Sequence, residues 1–300
     1  MSAALKKIVI VGVGLIGGSF ALALRKAGVV EQIVGVGRSI ATLQRAQQLG
    51  LIDTGAPMNE ALQHADLVLL SVPVAQTEAV LASMKPYLSD ETVVTDAGSI
   101  KTEVVAAARR ALGERIGQFV PGHPIAGREV SGPDAAIADL YVGKKVVLTP
   151  LPENTEAQIE RVADAWKCCG AQLHRLAPEQ HDAIFAAVSH LPHLLSFAFM
   201  DEVAHKPNVD LLLQHAASGF RGFTRLASSS PEMWRDIGIA NRNAILNELD
   251  AYIARLANFR KQLADGDAAA MHAMFSHAQQ TRDAWLQHTD AAVAPEEKNT

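Results

Sequence analysis

The sequence predicts an α/β fold: a doubly wound, mainly parallel sheet over residues 1–176, an all-α domain over 177–290 and a disordered tail at 291–300. Three observations predict it. The apolar run Ile8–Val11 leads directly into Gly12-x-Gly14-x-x-Gly17 and then the helical pattern Ser19–Arg25, the strand, turn and helix of a dinucleotide-binding unit. From Lys7 to about Leu176, short β-rich runs alternate with helical patterns, which implies parallel strands joined by helical crossovers. After Pro178 the β runs stop and only helical periodicity remains.

Taken in order, the expected strands are Ile8–Val11, Ile33–Val36, Leu67–Leu70, Thr92–Thr95, Gln118–Val120, Lys145–Leu148 and Gln172–Leu176. The expected helices of the second domain are Pro178–Ala204, Asp210–Ser218, Pro231–Ala264 and Ala268–His288. Within them Ile245, Leu249, Tyr252, Leu256, Phe259 and Leu263 recur at four-three spacing. This is a narrow apolar seam; packing within the chain explains it, as does a homodimer, which is the favoured reading. Pro192 cannot donate the backbone bond expected at its position, so the Val188 carbonyl is freed and the helix bends there.

A chain of 300 residues, 49% of them hydrophobic, holds enough apolar material for about two buried cores. No apolar run of membrane-spanning length is read, and Met1–Lys7 lacks the apolar stretch of a signal peptide, so a cytoplasmic protein is expected. The net charge of −5, with basic residues scattered along the chain, offers no basic stripe for nucleic acid. Cys168 and Cys169 are adjacent in a helical pattern, which is poor geometry for a bridge and predicts inert thiols.

Open α/β sheets bind ligands beyond the carboxyl ends of their strands, and the strand ends here carry the informative residues. Gly12, Gly14, Leu15, Ile16 and Gly17 form the turn in which glycine permits close approach of a pyrophosphate to a helix N-terminus. Ser71, Val72 and Pro73 follow the third strand and face the same mouth. The second strand ends in Gly37 where an acidic residue would select NAD; with Arg38 and Ser39 adjacent, NADP is the preferred cofactor and NAD the alternative. His123, on a loop between an apolar strand and Pro124, can accept a hydroxyl proton as hydride leaves a carbinol carbon. His190 and His193 lie three apart on one helix face; they suit substrate contact or core packing, and no companion pattern supports a metal. Arg221 and Arg225, beside Phe220 and Phe223, suit a carboxylate-bearing substrate.

These motifs, in order, resemble the TyrA family of prephenate and arogenate dehydrogenases: GVGLIGGS at Gly12–Ser19, DAGSIK at Asp96–Lys101, GHPIAGRE at Gly122–Glu129, SHLPH at Ser189–His193, FRGFTRLA at Phe220–Ala227 and PEMW at Pro231–Trp234, followed by Asn241. The resemblance implies a Rossmann-type domain joined to an all-helical dimerisation domain, and NAD(P)-dependent oxidative decarboxylation of prephenate or arogenate. It implies that His123 is the catalytic histidine, that Ser99 holds the substrate hydroxyl, and that His190, His193, Arg225 and Arg221 line the substrate pocket. Two positions depart from many relatives: Arg128 stands for threonine and Gly222 for aspartate. Both changes make the pocket more positive, and both substrates are expected to be accepted. No chorismate mutase segment or ACT module is expected, so any tyrosine inhibition is expected to be competition in the active site. The rival readings are another dehydrogenase with a helical second half, of the β-hydroxyacid or imine reductase type, and an NADP-binding sensor without turnover.

Overall fold

The computed structural model describes residues 5–128 and 130–293. The strands β1 (Leu5–Val11), β2 (Val30–Val36), β3 (Thr54–Gly55), β4 (Leu67–Leu70), β5 (Val93–Asp96) and β6 (Phe119–Val120) form one parallel sheet in the order 3-2-1-4-5-6. The crossovers are α1 (Leu15–Lys26), α2 (Ile40–Gln48), α3 (Met58–Ala61), α4 (Thr77–Met84) and α5 (Thr102–Leu112). The strand period of two sorts side chains to opposite faces. Ile8 and Ile10 of β1 join Phe20 and Trp166 in one core, while Val9 and Val11 join Leu81 and Phe119 in the other. Burial on both faces is what a parallel sheet requires.

The chain then departs from the single sheet expected of the sequence. The strands β7 (Gly122–Pro124), β8 (Lys145–Leu148) and β9 (Gln172–Arg175) form a second, three-stranded sheet, with α6 (Glu156–Cys168) between β8 and β9. His123 is therefore not on a loop: it sits on β7, opposite Val147 of the antiparallel β8. Pro121 has no N–H and ends the β6 ladder, and Gly122 turns the chain close against β5, where an added Cβ would lie 3.1 Å from the Asp96 carbonyl oxygen.

The helices that follow are α7 (Pro178–Phe185), a π-helical turn (Ala186–His190), α8 (Leu191–Ala204), α9 (Val209–Gln214), α10 (Ser218–Thr224), α11 (Pro231–Ala240), α12 (Arg242–Asp265) and α13 (Ala268–Val293). The expected helix Pro231–Ala264 is interrupted at Asn241, whose backbone leaves the helical region. Pro178–Ala204 is continuous and, by length and composition, reaches what a membrane span requires, contrary to the sequence reading. Its buried polar residues His181, Asp182, His190 and Ser196 are used inside the protein, as described below. Of the tail expected to be disordered, Ala291–Val293 complete α13, and residues 294–300 lie outside the described residues.

By packing, residues 1–245 form one compact unit and 246–300 a second. The first unit extends past the sheet because α7 is tied to α5 through Asp182. In the second unit the helices turn at Gly266, with φ of +65°, and Phe259 meets Phe275 with ring centroids 6.0 Å apart. Tyr252, Leu256 and Leu263 of the apolar seam are exposed, whereas Ile245 is buried. Cys168 and Cys169 are unbridged, as expected.

Candidate active site

The first part of the site is the glycine turn. Gly12 adopts φ of +94°, and a Cβ there would meet the Ser71 carbonyl oxygen at 2.5 Å. A Cβ on Gly17 would lie 2.6 Å from both the Gly12 carbonyl oxygen and Ile10 Cγ2, so only glycine lets α1 pack on β1. Gly14 differs: nothing lies within 4 Å of its missing Cβ. The first amides of α1, from Leu15, Ile16 and Gly17, have no helical carbonyl to meet, and the helix dipole adds partial positive charge beside that open face. These residues fit a dinucleotide pyrophosphate. Ser71 closes the turn, its Oγ donating to the Gly12 carbonyl at 2.5 Å, and Val72 borders Gly12. Pro73 starts the next turn, Val74–Gln76. Arg38 is exposed after β2, and Ser39 caps α2 by accepting from the Thr42 amide.

A covering stretch, Pro133–Gly143, holds α1 in place. The Ile137 amide donates to Ser19 Oγ at 3.0 Å, and the fully buried Tyr141 donates its hydroxyl to the Ile16 carbonyl at 2.6 Å. Asp134 pairs with Arg45 of α2. Arg128 is exposed and donates to the Ala135 carbonyl in this stretch.

The second part surrounds His123. Its Nδ1 lies 2.8 Å from Nε2 of His181, whose Nδ1 in turn lies 2.8 Å from Asp182 Oδ1. Asp182 also accepts the amides of Lys101 and Thr102, each at 2.8 Å, and so caps α5. Beneath these groups Asp96 and Lys101 form a buried ion pair at 2.5 Å. That pair grips the peptide preceding His123: Lys101 Nζ donates to the Gly122 carbonyl at 2.7 Å and the Gly122 amide donates to Asp96 Oδ1 at 3.0 Å. Burial holds the His123 imidazole well below its ordinary range, and the nearby His181, Lys101 and His190 add to the effect. His123 is a neutral imidazole at neutral pH, in the form that accepts a proton.

The third part comes from the helical segment. A π turn precedes Pro192, with the Leu191 amide donating to the Ala186 carbonyl, and His190 and His193 both lie against Trp234. Such turns recur at functional sites. His193 stacks on the indole with centroids 3.7 Å apart and contacts the Ser189 carbonyl through Nδ1. His190 is tied by Asn241, whose amide nitrogen lies 3.0 Å from its Nδ1 and donates to the Asp182 carbonyl at 2.9 Å. Burial pushes the His190 imidazole down to about 4. Trp234 and Ile237 pack on Ile100, which brings α11 against the segment bearing the half-buried Ser99. Two buried nitrogens here, His190 Nε2 and Trp234 Nε1, lack a well-formed hydrogen bond. The Ser99 backbone and the charge of Arg225 both act on these histidines, on His190 and His193 respectively. Arg225 and Arg221 are exposed at α10 and just after it.

The structure thus gathers Ser99, His123, His190, His193 and Arg225 around one cluster, and it adds Asp96, Lys101 and Trp234, to which sequence reasoning assigned no role beyond their motifs, and the charged or titratable His181 and Asp182, which it passed over. Their signal was the buried placement of charged residues, visible only once α7 and β5 are side by side.

Comparison with known proteins identifies the family. Residues 20–175 match the family model described as the prephenate dehydrogenase nucleotide-binding domain, and residues 177–277 match the prephenate dehydrogenase dimerization domain. The chain belongs to the prephenate dehydrogenase family. It is 35% identical to a cyclohexadienyl dehydrogenase of Zymomonas mobilis over 92% of this chain and 95% of that protein. Among solved structures, prephenate dehydrogenase from Aquifex aeolicus in complex with hydroxyphenyl propionate and NAD+ superposes with a TM-score of 0.88 at 34% identity, covering 94% of this chain and 99% of that one. Synechocystis arogenate dehydrogenase gives a TM-score of 0.80 at 29% identity, covering 93% and 99%. Family membership makes the chain a dehydrogenase that binds a nicotinamide dinucleotide, and the Rossmann-type sheet followed by helices is the fold expected of the sequence.

Proposed function

We propose that this chain oxidises prephenate with loss of its ring carboxylate to give 4-hydroxyphenylpyruvate, accepts arogenate to give tyrosine, and uses NADP in preference to NAD. The observation that carries the reading is the buried, neutral His123 beside the mouth shared by the glycine turn and the ends of β4 and β5. A carbinol losing hydride needs its hydroxyl proton taken up, and Nε2 is the ring nitrogen of His123 not engaged with His181. The cofactor, when bound, supplies the hydride acceptor. Carbon dioxide leaves its bonding electron pair in the ring, and the substrate oxygen ends as a phenol. The proton lent to His123 therefore returns to the same oxygen, and none is released to solvent.

Ser99 holds the hydroxyl, while His190, His193 and Arg225 receive the carboxylates, with Arg221 and Arg128 adding positive charge. The buried indole nitrogen of Trp234, which has no hydrogen-bond partner, supports a polar occupant at this place. NADP is favoured by Gly37 in place of a carboxylate and by exposed Arg38 at the start of α2. The exposed seam residues Tyr252, Leu256 and Leu263 support a homodimer, and tyrosine is read as a competitor for the substrate site.

The test follows reduced nicotinamide with prephenate and arogenate, each with NADP and NAD. His123→Asn is expected to lower kcat by about 10²–10⁴-fold, the range of general-base contributions, with cofactor Kd within about threefold. Wild-type turnover in that variant, or no turnover of either substrate by the parent, refutes the reading.

A further inference from the structure

A histidine acts as a base only through a nitrogen that lacks a proton, and the hydrogen bond made by the other nitrogen decides which one that is. Around His123 the donors can be counted from one end. Asp182 meets three groups: the amides of Lys101 and Thr102 and the His181 ring, all at 2.8 Å. An ionised carboxylate accepts and cannot donate. Although burial opposes ionisation of Asp182, the bonds from His181, Thr102 and Lys101 hold its carboxyl below the usual range, so His181 Nδ1 carries a hydrogen.

His181 itself is kept neutral. Burial lowers its affinity for a second proton; buried Lys101 adds to this, while Asp182 and Asp96 oppose it. A neutral His181 with its hydrogen on Nδ1 has a lone pair on Nε2, 2.8 Å from His123 Nδ1. His123 must then donate through Nδ1. The groups facing His123 from the neighbouring elements, His181 of α7, Lys101 after β5 and His190 of the π turn, are neutral or positive, and Phe185 packs against the ring at 5.1 Å. None of them favours the doubly protonated form.

We propose that Asp182 and His181 are positioning residues that lock His123 in the tautomer with its hydrogen on Nδ1, leaving Nε2 as the proton acceptor of the reaction. The proposal rests on the role given to His123 above, and it adds two residues that act only through it. No proton is consumed: the same hydrogen stays on Nδ1 while Nε2 is loaded and unloaded in each turnover.

The experiment has two arms. Nitrogen-15 histidine NMR of the parent chain, assigned with His123→Asn and His181→Gln, reads the tautomers without any turnover. Hydrogen on Nδ1 and a bare Nε2 in His123, with His181 neutral, is the expected result; hydrogen on His123 Nε2, or a cationic His181, overturns the proposal. In the kinetic arm, His181→Leu removes the acceptor and is expected to lower kcat by about a hundredfold or more, as loss of the correct tautomer does in other histidine-dependent enzymes. Cofactor Kd stays within about threefold, and the pH profile of kcat changes shape because both tautomers then compete. His181→Gln offers a side-chain carbonyl to Nδ1 and is expected to recover at least roughly tenfold of that loss. Turnover of His181→Leu within about threefold of the parent, or no advantage of glutamine over leucine, overturns the assignment. If His181→Leu does not fold, the NMR arm on the parent decides. A parent inactive on prephenate and arogenate removes the proposed reaction and leaves the tautomer result standing, so the two failures are separable.

Discussion

One chemical change, an added methyl group, is expected to have different consequences at Gly14 and Gly17, two positions three residues apart. At Gly17 the new Cβ would stand 2.6 Å from a backbone oxygen and from Ile10 Cγ2. Neither is the end of a flexible chain, so the β1–α1 contact must open. Overpacking of this kind costs about 1–3 kcal/mol, or roughly 2–12 °C in Tm for a chain of this size. At Gly14 nothing lies within 4 Å, and the backbone is extended with φ of −112°, which alanine adopts freely. The loss of glycine at this helix-starting position costs about 1 kcal/mol or less. The methyl then occupies the open face that the proposed function assigns to the phosphates. Displacing one charge-assisted hydrogen bond of about 1.5–3 kcal/mol weakens cofactor binding by about ten- to a hundredfold. Thermal unfolding of the ligand-free protein and fluorescence titration with NADP separate the two effects. Gly14→Ala binding cofactor as tightly as the parent refutes the placement of the phosphates; Gly17→Ala melting with the parent refutes the packing argument.

Four further outcomes follow from the buried groups. Lys101→Met leaves Asp96 buried without its cation, and urea unfolding should show a loss of about 3–5 kcal/mol; adding Asp96→Asn should restore part of it, and a single variant within about 1 kcal/mol of the parent contradicts the buried pair. Because His123 is held below its ordinary imidazole range, kcat/KM should stay level as pH falls through 6.5 and decline only at lower pH; a midpoint at or above the free imidazole value contradicts this. The depressed histidines also bind protons more readily when unfolded, so their stabilisation is complete above about pH 6.5 and is lost as pH falls. His190, pushed down to about 4, alone accounts for a loss on the order of 3 kcal/mol between those limits, measurable by urea titration at pH 7 and pH 4.5. Tyr141→Phe removes the bond to the Ile16 carbonyl and should cost about 1 kcal/mol, read as a shift in the urea midpoint.

The sheet was legible because it is built from local signals. Each expected strand overlaps an observed one, since alternating β-rich and helical runs need no knowledge of partners. The two strands missed, Thr54–Gly55 and Gly122–Pro124, are too short and too rich in glycine and proline to show a pattern; they form because a neighbour's backbone is already in place. The same division runs through the site. The glycine turn announces itself through spacing, and His123, Ser99 and the SHLPH histidines were found through strand ends and motif order. His181 and Asp182 fall near the start of a helix and belong to none of the motifs. Their role exists only because α7 docks on the start of α5, a contact between residues 80 or more positions apart. Arg128 donates to the Ala135 carbonyl, a contact that its sequence neighbourhood does not foretell.

The latch between Tyr141 and Ile16 bears on how such an enzyme changes its diet over evolutionary time. Strand β7, which carries His123, and helix α1, which follows the glycine turn, are fastened together by the covering stretch between β7 and β8. The spacing between His123 and the glycine turn is therefore an internal dimension of the sheet region, while Arg221, Gly222 and Arg225 sit on and just after α10. If the proposed substrate roles of Arg221 and Arg225 hold, substitutions on that helix are expected to change the preference between an ammonium and a keto side chain while leaving that spacing intact.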